Sequence, residues 1–339
     1  MTTLICRGLD IGFGFTKFTR GADADGNTLT AAFPSFATVA NPPTGGDGLS
    51  AHNVVHVRVG VNTYAVGADA QDSADGSGSR MLERSFFISE EYLALARGAM
   101  ADMQTGPTIH SLAIGLPLQY FNDTKLLAGL SERMQGPHPL PSLAGTGDSD
   151  RSVRVEKVTI FPQVVGSLMH HFGAASSGAT TTTTALTIDA GYGTLVWLTT
   201  RGSNSQPKRS GGNMGGASRL IERIARRIDP AIANDFELMG RLDEALRLNR
   251  KAFKLRDGDV LLDQYRPMLE TAVLDHVTEM LRSVGDTANI DQIILTGGGA
   301  YLYRSVVQNA FPNRMIHAPI NPRFANVLGF QKLAEQVVA

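Results

Sequence analysis

The sequence predicts an α/β protein built from two similar halves, and three observations predict it. Apolar β-like runs alternate with amphipathic helical stretches along the chain. At 339 residues the length exceeds what one compact core usually fills, so two domains are expected. The stretch LDIGFG at Leu9 returns as IDAGYG at Ile188, 179 positions later and about half the chain away.

Composition narrows the function. Lys and Arg total 31 against 32 Asp and Glu, a formal charge of -1, so no global field draws the chain to nucleic acid or to an anionic membrane. The single cysteine, Cys6, lies in the first apolar run; it reads as a small buried residue and excludes an intramolecular disulfide. No apolar run approaches the ~18 residues of a membrane span, and the N-terminus lacks the basic segment of a secretory signal. A soluble, cytoplasmic protein is expected.

In chain order, an apolar strand ends at Asp10, turns at Gly12 to Gly14, and a second strand runs through Arg20. The polar turn ADADGN leads to a third strand, TLTAAFPSF, and VVHVRVGVNTYAVG reads as another hairpin. NPPTGGDG and DSADGSGS are loops by composition. Ser89 is placed to N-cap a helix whose first turn holds Glu90 and Glu91, acids that the helix dipole favours there. A buried strand IHSLAIGLP, an amphipathic helix at Asp123 to Met134 and a loop GPHPLPSLAGTGDSD follow. After the strand SVRVEKVTIF, Pro162 is expected in the first turn of the helix PQVVGSLMHHFG. SSGATTTTT reads as a linker. The strand ALTID then leads to AGYGTLVWLTTRG, the glycine-rich SGGNMGGASRL and a basic helix LIERIARRI, whose arginines read as a solvated face. A later helix puts Leu269, Val273, Val277, Met280 and Val284 on one face and closes at Gly285. DQIILTGGGAYLYRSVVQNAF reads strand, triple-glycine turn, helix, and FANVLGFQKLAEQ is a last helix.

The repeated stretch carries chemistry. Phosphate oxygens need donors with no bulky side chain in the way, and glycine-rich turns present backbone N–H groups as an anion nest. Gly12, Phe13, Gly14 and Thr16 in the first copy, and Gly191, Tyr192, Gly193 and Thr194 in the second, are the candidate phosphate turns. Lys17 adds a point charge. Asp10 and Asp189 become favourable beside phosphate only if Mg²⁺, keeping several waters, lies between; both are expected to be metal partners through water. A third glycine cluster, Gly297, Gly298 and Gly299, follows a buried strand and opens a helix, where phosphate or a flat ring can lie against the backbone. His170 and His171 have no Cys or acidic partners at zinc spacing and read as structural or exposed.

These residues, in this order, resemble the actin-type ATPase superfamily over nearly the whole chain. LDIGFGFTK resembles its first phosphate motif, FPQVVGSLMHHFG the first connecting helix, TIDAGYGTL the second phosphate motif, ILTGGGAYL the adenosine motif and FANVLGFQKLAEQ the second connecting helix. Length and the FPS, PQxxG and FANxLG pieces are most similar to the ParM/StbA plasmid-segregation actins and their archaeal and PRTRC-system protein D relatives. The resemblance implies an α/β fold of two RNase H-like lobes, four subdomains in all, around a nucleotide cleft. It implies lobe boundaries at 1–160, with 322–339 packing back on that lobe, and 161–321. Gln163 would orient the attacking water, a positioning role, and Asp189 would share in catalysis. Gly215 and Gly216, with Arg219 and Glu222, would lie near the nucleotide. Where many relatives continue the second phosphate motif with two threonines and an aspartate, this chain turns apolar after Thr194, so contacts beyond that residue are not expected and Trp197 is expected in the core.

The resemblance further implies Mg-ATP binding and hydrolysis, with GTP left open because glycine turns do not distinguish bases. It implies self-association into filaments that move plasmid DNA through a DNA-binding adaptor, without direct contact to nucleic acid or membrane. The alternatives are a monomeric sugar or acid kinase, for which no catalytic base is evident, and a chaperone-like regulatory ATPase. For the latter, a substrate-binding domain after the last helix is not expected.

Overall fold

A computed structural model describes residues 4–40, 53–70, 84–141, 151–173 and 182–338. The loops at 41–48 and 72–79, the far part of the 136–150 loop and most of the tract at 176–184 lie outside the described residues. The chain divides into two compact units, Met1–Ser176 with Phe324–Ala339, and Ser177–Arg323.

In the first unit, β1 (Cys6–Ile11) and β2 (Phe15–Ala22) form an antiparallel hairpin to which β3 (Thr28–Pro34) adds. Strands β4 (Thr38–Val39), β5 (Val54–Val59) and β6 (Asn62–Gly67) form a small sheet of their own. Helix α1 (Glu90–Asp102) begins at Ser89, whose hydroxyl accepts from the Tyr92 amide at 3.1 Å. Then come β7 (Thr108–Ile109), β8 (Ser111–Leu116), α2 (Thr124–Met134), β9 (Gly136–Pro139), β10 (Ser152–Val155), β11 (Val158–Pro162) and α3 (Gln163–Phe172). The main sheet runs β11-β8-β1-β2-β3, with β8 parallel to both β1 and β11.

The second unit contains β12 (Thr184–Ala190), β13 (Leu195–Arg201), β14 (Asn204–Ser205), β15 (Gly211–Asn213), α4 (Ala217–Ile228), α5 (Pro230–Ala233) and α6 (Phe236–Arg247). It continues through β16 (Ala252–Leu255), β17 (Gly258–Leu261), α7 (Arg266–Val284), β18 (Gln292–Thr296), α8 (Ala300–Ala310) and β19 (Ile316–His317). Its sheet runs β14-β13-β12-β18-β19, with β12, β18 and β19 parallel. Each unit therefore has a hairpin whose first strand sits mid-sheet, followed by two parallel strands on that strand's other side. On α7, Leu269, Val273, Val277, Met280 and Val284 are all buried, each worth roughly 1.5–3 kcal/mol of apolar burial. Gly285 ends the helix at φ 70°.

The last helix, α9 (Ala325–Gln336), returns to the first unit and crosses α3. A Cβ on Gly329 would collide with the backbone of Gly166, so both helices need glycine at the crossing. Asn326 Oδ1 accepts from the Ser167 amide at 3.2 Å, and Gln331 Nε2 donates to the Cys6 carbonyl at 3.0 Å. Helix α3 packs here within the first unit.

Three local expectations differ from the structure. GPHP, read as loop, forms β9 opposite β10; Gly136 at φ 106° turns the chain straight out of α2. SVRVEKVTIF is two strands in two sheets, broken between Val155 and Val158. Pro162 closes β11 and N-caps α3 instead of entering its first turn.

Candidate functional site

The two hairpins are superposable in register. Leu9, Asp10 and Ile11 pair with Phe18, Lys17 and Thr16, while Ile188, Asp189 and Ala190 pair with Trp197, Val196 and Leu195. Every pair keeps the same offset of 179, and so do the bonds that close the turns: Gly12 N to Phe15 O at 3.1 Å and Gly191 N to Thr194 O at 2.8 Å. The likeness in sequence is thus a likeness in backbone.

In the first unit Asp10 is 1% exposed and both its oxygens are held. Lys17 Nζ lies 2.6 Å from Oδ2, across the hairpin, and Gln163 Nε2 donates to Oδ1 at 2.7 Å. These are the short, charge-assisted distances that neutralise a buried carboxylate. Gln163 reaches Asp10 from the end of β11, and Gly115 on the strand between makes this possible. A Cβ there would come within 2.8 Å of the Gln163 side chain. Thr16 is fully buried, its hydroxyl 3.0 Å from that of Ser35, whose amide donates to Gly14 O at 3.0 Å. The Phe13 ring packs on Phe86 and Phe87, with centroids 6.2 and 5.9 Å away, so only its backbone is available to a ligand. Tyr92 joins the same aromatic cluster; burial, with the Asp10 charge adding to it, pushes its phenol far above the usual value.

In the second unit the hairpin turn is fastened to two helix starts. The carbonyls of Gly191, Tyr192 and Gly193 accept from the amides of Ala217, Ser218 and Gly216 at 3.0, 2.8 and 3.2 Å, and Ala190 O accepts from Gly299 N at 2.8 Å. In a trans peptide the N–H points opposite to its carbonyl, so the N–H groups of this turn face away from the helices, as an anion nest requires. A Cβ on Gly216 would strike the turn backbone. One on Gly297, at φ 90°, would strike Ala190 O and the Asp189 carboxylate. Asp189, 7% exposed, pairs with Thr296 on β18, but the position opposite it on the hairpin is Val196, where the first unit has Lys17. Thr194 is buried and Tyr192 half-buried. Of the adenosine-motif glycines, Gly297 and Gly299 are buried and Gly298 is exposed, near the stem of Arg323.

On α4, Arg219 is exposed and Glu222 is ion-paired with Arg226 at 2.7 Å, one turn away on the same helix. Beside the triple glycine, Tyr301 donates to the Asp243 carboxylate at 2.7 Å, and burial raises the Asp243 pKa. Trp197 is 3% exposed in the core. Among the described residues no group of three or more His, Cys, Asp or Glu could hold a metal ion. Asp10, with both oxygens engaged, fits a hydrated ion through water and not direct coordination. The first unit also has a groove of about 360 Å³ lined by Phe18, Phe33, Val55, Val66 and Asp102, whose carboxylate is ion-paired with Arg20 at 2.7 Å. No helix among the described residues is long and apolar enough to cross a membrane.

Within the first unit Asp10, Gly12, Gly14, Lys17 and Gln163 lie together, and within the second Asp189, Gly191 to Thr194, Gly215, Gly216 and Gly297 to Gly299 do. The sequence reading missed Gly115, Ser35 and the side chains that hold Gly215. The Ser35 signal was present in the FPS piece; Gly115 needed the strand order.

This arrangement has the actin-like fold. Residues 8–166 match the family model described as actin-like proteins N-terminal domain, and the chain as a whole has the actin-like fold. The archaeal actin homologue Ta0583 superposes with a TM-score of 0.78 at 20% identity, covering 98% of this chain and 100% of that one. The psk41 ParM protein gives 0.72 at 18%, covering 98% and 97%. The ParM of a 15-stranded filament from Clostridium botulinum gives 0.73 at 16%, covering 98% and 100%. No curated protein matches the chain in sequence.

Proposed function

We propose that this chain is a ParM-like, filament-forming nucleoside triphosphatase, in which both hairpins serve one Mg-bound nucleotide. The observation that carries the reading is the identical register of the two hairpins, each with a buried aspartate one residue before the end of its first strand, beside a glycine turn. Solved structures of similar fold support it: Ta0583 in complex with ADP, Bacillus thuringiensis ParM with AMPPNP, and the C. botulinum ParM filament.

The chain's own residues would divide the work. Amides of the turns at 11–15 and 190–194, other than those of Gly12 and Gly191 that close the turns, receive phosphate oxygens. Lys17 has three N–H donors, of which Asp10 takes one, leaving donors for phosphate. Asp10 and Asp189 hold Mg²⁺ through water, and the ion neutralises phosphate charge when bound. Gln163, already at hydrogen-bond distance from Asp10, orients the water that attacks. Gly215, Gly216, Arg219 and Glu222 line the sugar side, and Gly297 to Gly299 the base. Residues 1–160 with 322–339 form one lobe and 161–321 the other in the functional division, with α3 as the connecting helix. Binding favours assembly and hydrolysis weakens it, and a DNA-binding adaptor would couple filaments to a plasmid in the cytoplasm.

Light scattering and electron microscopy of the purified chain with Mg-ATP or Mg-GTP test this. Filaments that need a nucleotide support it; no assembly at high concentration with either nucleotide, and no phosphate release, contradicts it.

A further inference from the structure

The glycines at 215 and 216 are themselves gripped from behind. Tyr303, fully buried on α8, donates its hydroxyl to the Gly215 carbonyl at 2.7 Å. His276, on α7, meets that hydroxyl through Nδ1 at 2.9 Å. A carbonyl can only accept, so the Tyr303 proton is committed to Gly215 and His276 must supply the proton of its own bond. The imidazole is therefore the Nδ1–H tautomer. The two rings lie nearly parallel, 19° apart. The Nε2 edge of His276 rests against Gly215, where a Cβ would come within 2.8 Å of it. Asn213 completes the grip: its Oδ1 accepts from the Gly215 amide at 3.0 Å and its Nδ2 donates to Glu279 at 2.7 Å. One residue on, Gly216 and the first amides of α4 are docked on the carbonyls of the Asp189 turn. A continuous chain of bonds thus runs from His276 through Tyr303 and Gly215 to the turn at 190–194.

We propose that His276 and Tyr303 are positioning residues for this turn, locking the Gly215 carbonyl so that the turn amides keep the orientation that receives phosphate. The proposal rests on nucleotide binding by the turn. The groups facing His276 are Asp275 and Glu279 on its own helix, Arg219 on α4 and Tyr303 on α8. Burial outweighs the two acids and lowers its pKa, so the ring works neutral at pH 7.

The test compares Tyr303→Phe, His276→Ala and His276→Asn, whose amide nitrogen replaces Nδ1–H, with wild type. Hydrogen exchange is measured on the protein alone, and binding by titration with a fluorescent ATP analogue and Mg²⁺. Phe and Ala should speed exchange of the bonded amides of Gly191 and of residues 215–218 about tenfold over the β12–β18 core. They should weaken binding about 5- to 10-fold, the scale of one buried hydrogen bond; Asn should recover most of both. Unchanged local exchange in Tyr303→Phe and His276→Ala overturns the proposal. So does a uniform rise across the unit that Asn does not reverse, the mark of a merely structural role. If Tyr303→Phe does not fold, the two His276 variants decide alone. If wild type binds no nucleotide, the proposed function fails, while the exchange comparison still supports or overturns the positioning.

Discussion

Replacing Lys17 by Met removes the cation paired with a carboxylate that is 1% exposed. The methylene stem, 16% exposed as a side chain, is largely kept, so packing changes little. Breaking a buried ion pair by removing one partner costs about 3–5 kcal/mol, because the other charge is stranded. Gln163 still donates to Asp10 at 2.7 Å, which places the expected loss at the lower end, about 3 kcal/mol. For a unit of this size that is a fall in Tm of roughly 6–12 °C. Removing both charges in Asp10→Asn with Lys17→Met should recover about 2 kcal/mol, since no lone charge is left buried, giving a strongly non-additive double-mutant cycle. Urea unfolding followed by circular dichroism measures the cycle. Trp197, the one tryptophan, lies in the other unit, so its fluorescence shows whether the loss stays in the first. A Lys17→Met variant within about 0.5 kcal/mol of wild type, or additive single effects, would refute the reasoning about the Asp10 clamp. The lysine is expected to matter to stability as well as to nucleotide affinity.

Asp189→Ala should cut nucleotide hydrolysis by ~10²-fold or more, as expected when a charge-stabilising element is lost; phosphate release assays that show normal turnover would remove Asp189 from the site. Gly329→Ala drives a methyl into the Gly166 backbone and should destabilise by roughly 3 kcal/mol, at the upper end of overpacking costs, read as a lowered urea midpoint. Burial lowers the pKa of His138 and His276 below the usual 6.5, so the unfolded chain binds their protons first. Stability is then full above pH 6.5 and declines as pH falls through the folded pKa values; urea midpoints across that window should fall with acid, and less steeply in His276→Asn.

The hairpins were legible because everything that makes them is local. An apolar run, an aspartate and two glycines fix each strand and turn, and Lys17 stands opposite Asp10 simply by antiparallel pairing seven residues on. Helix α7 was legible from its period, and Ser89 from its capping chemistry. Gln163 was found through family likeness, but its bond to Asp10 depends on two parallel crossovers that bring β11, β8 and β1 together, which no local pattern specifies. For the same reason His276 and Tyr303 look like unremarkable helix residues until α7 and α8 are packed beside Gly215. The stretch 229–265, with α5, α6 and the β16–β17 hairpin, went unread, although Leu238, Leu242, Ala245 and Leu246 keep a helical period and Asp235 caps α6. GPHP has the composition of a turn, and becomes a strand only because β10 lies alongside it.

The most direct measurement is a structure of the chain bound to a non-hydrolysable Mg-nucleotide, by crystallography or by electron microscopy of filaments. Both turns, 11–15 and 190–194, should donate amides to the same triphosphate, with Lys17 on a phosphate oxygen and waters joining the ion to Asp10 and Asp189. A nucleotide that touches one hairpin and leaves the other empty would contradict a shared site.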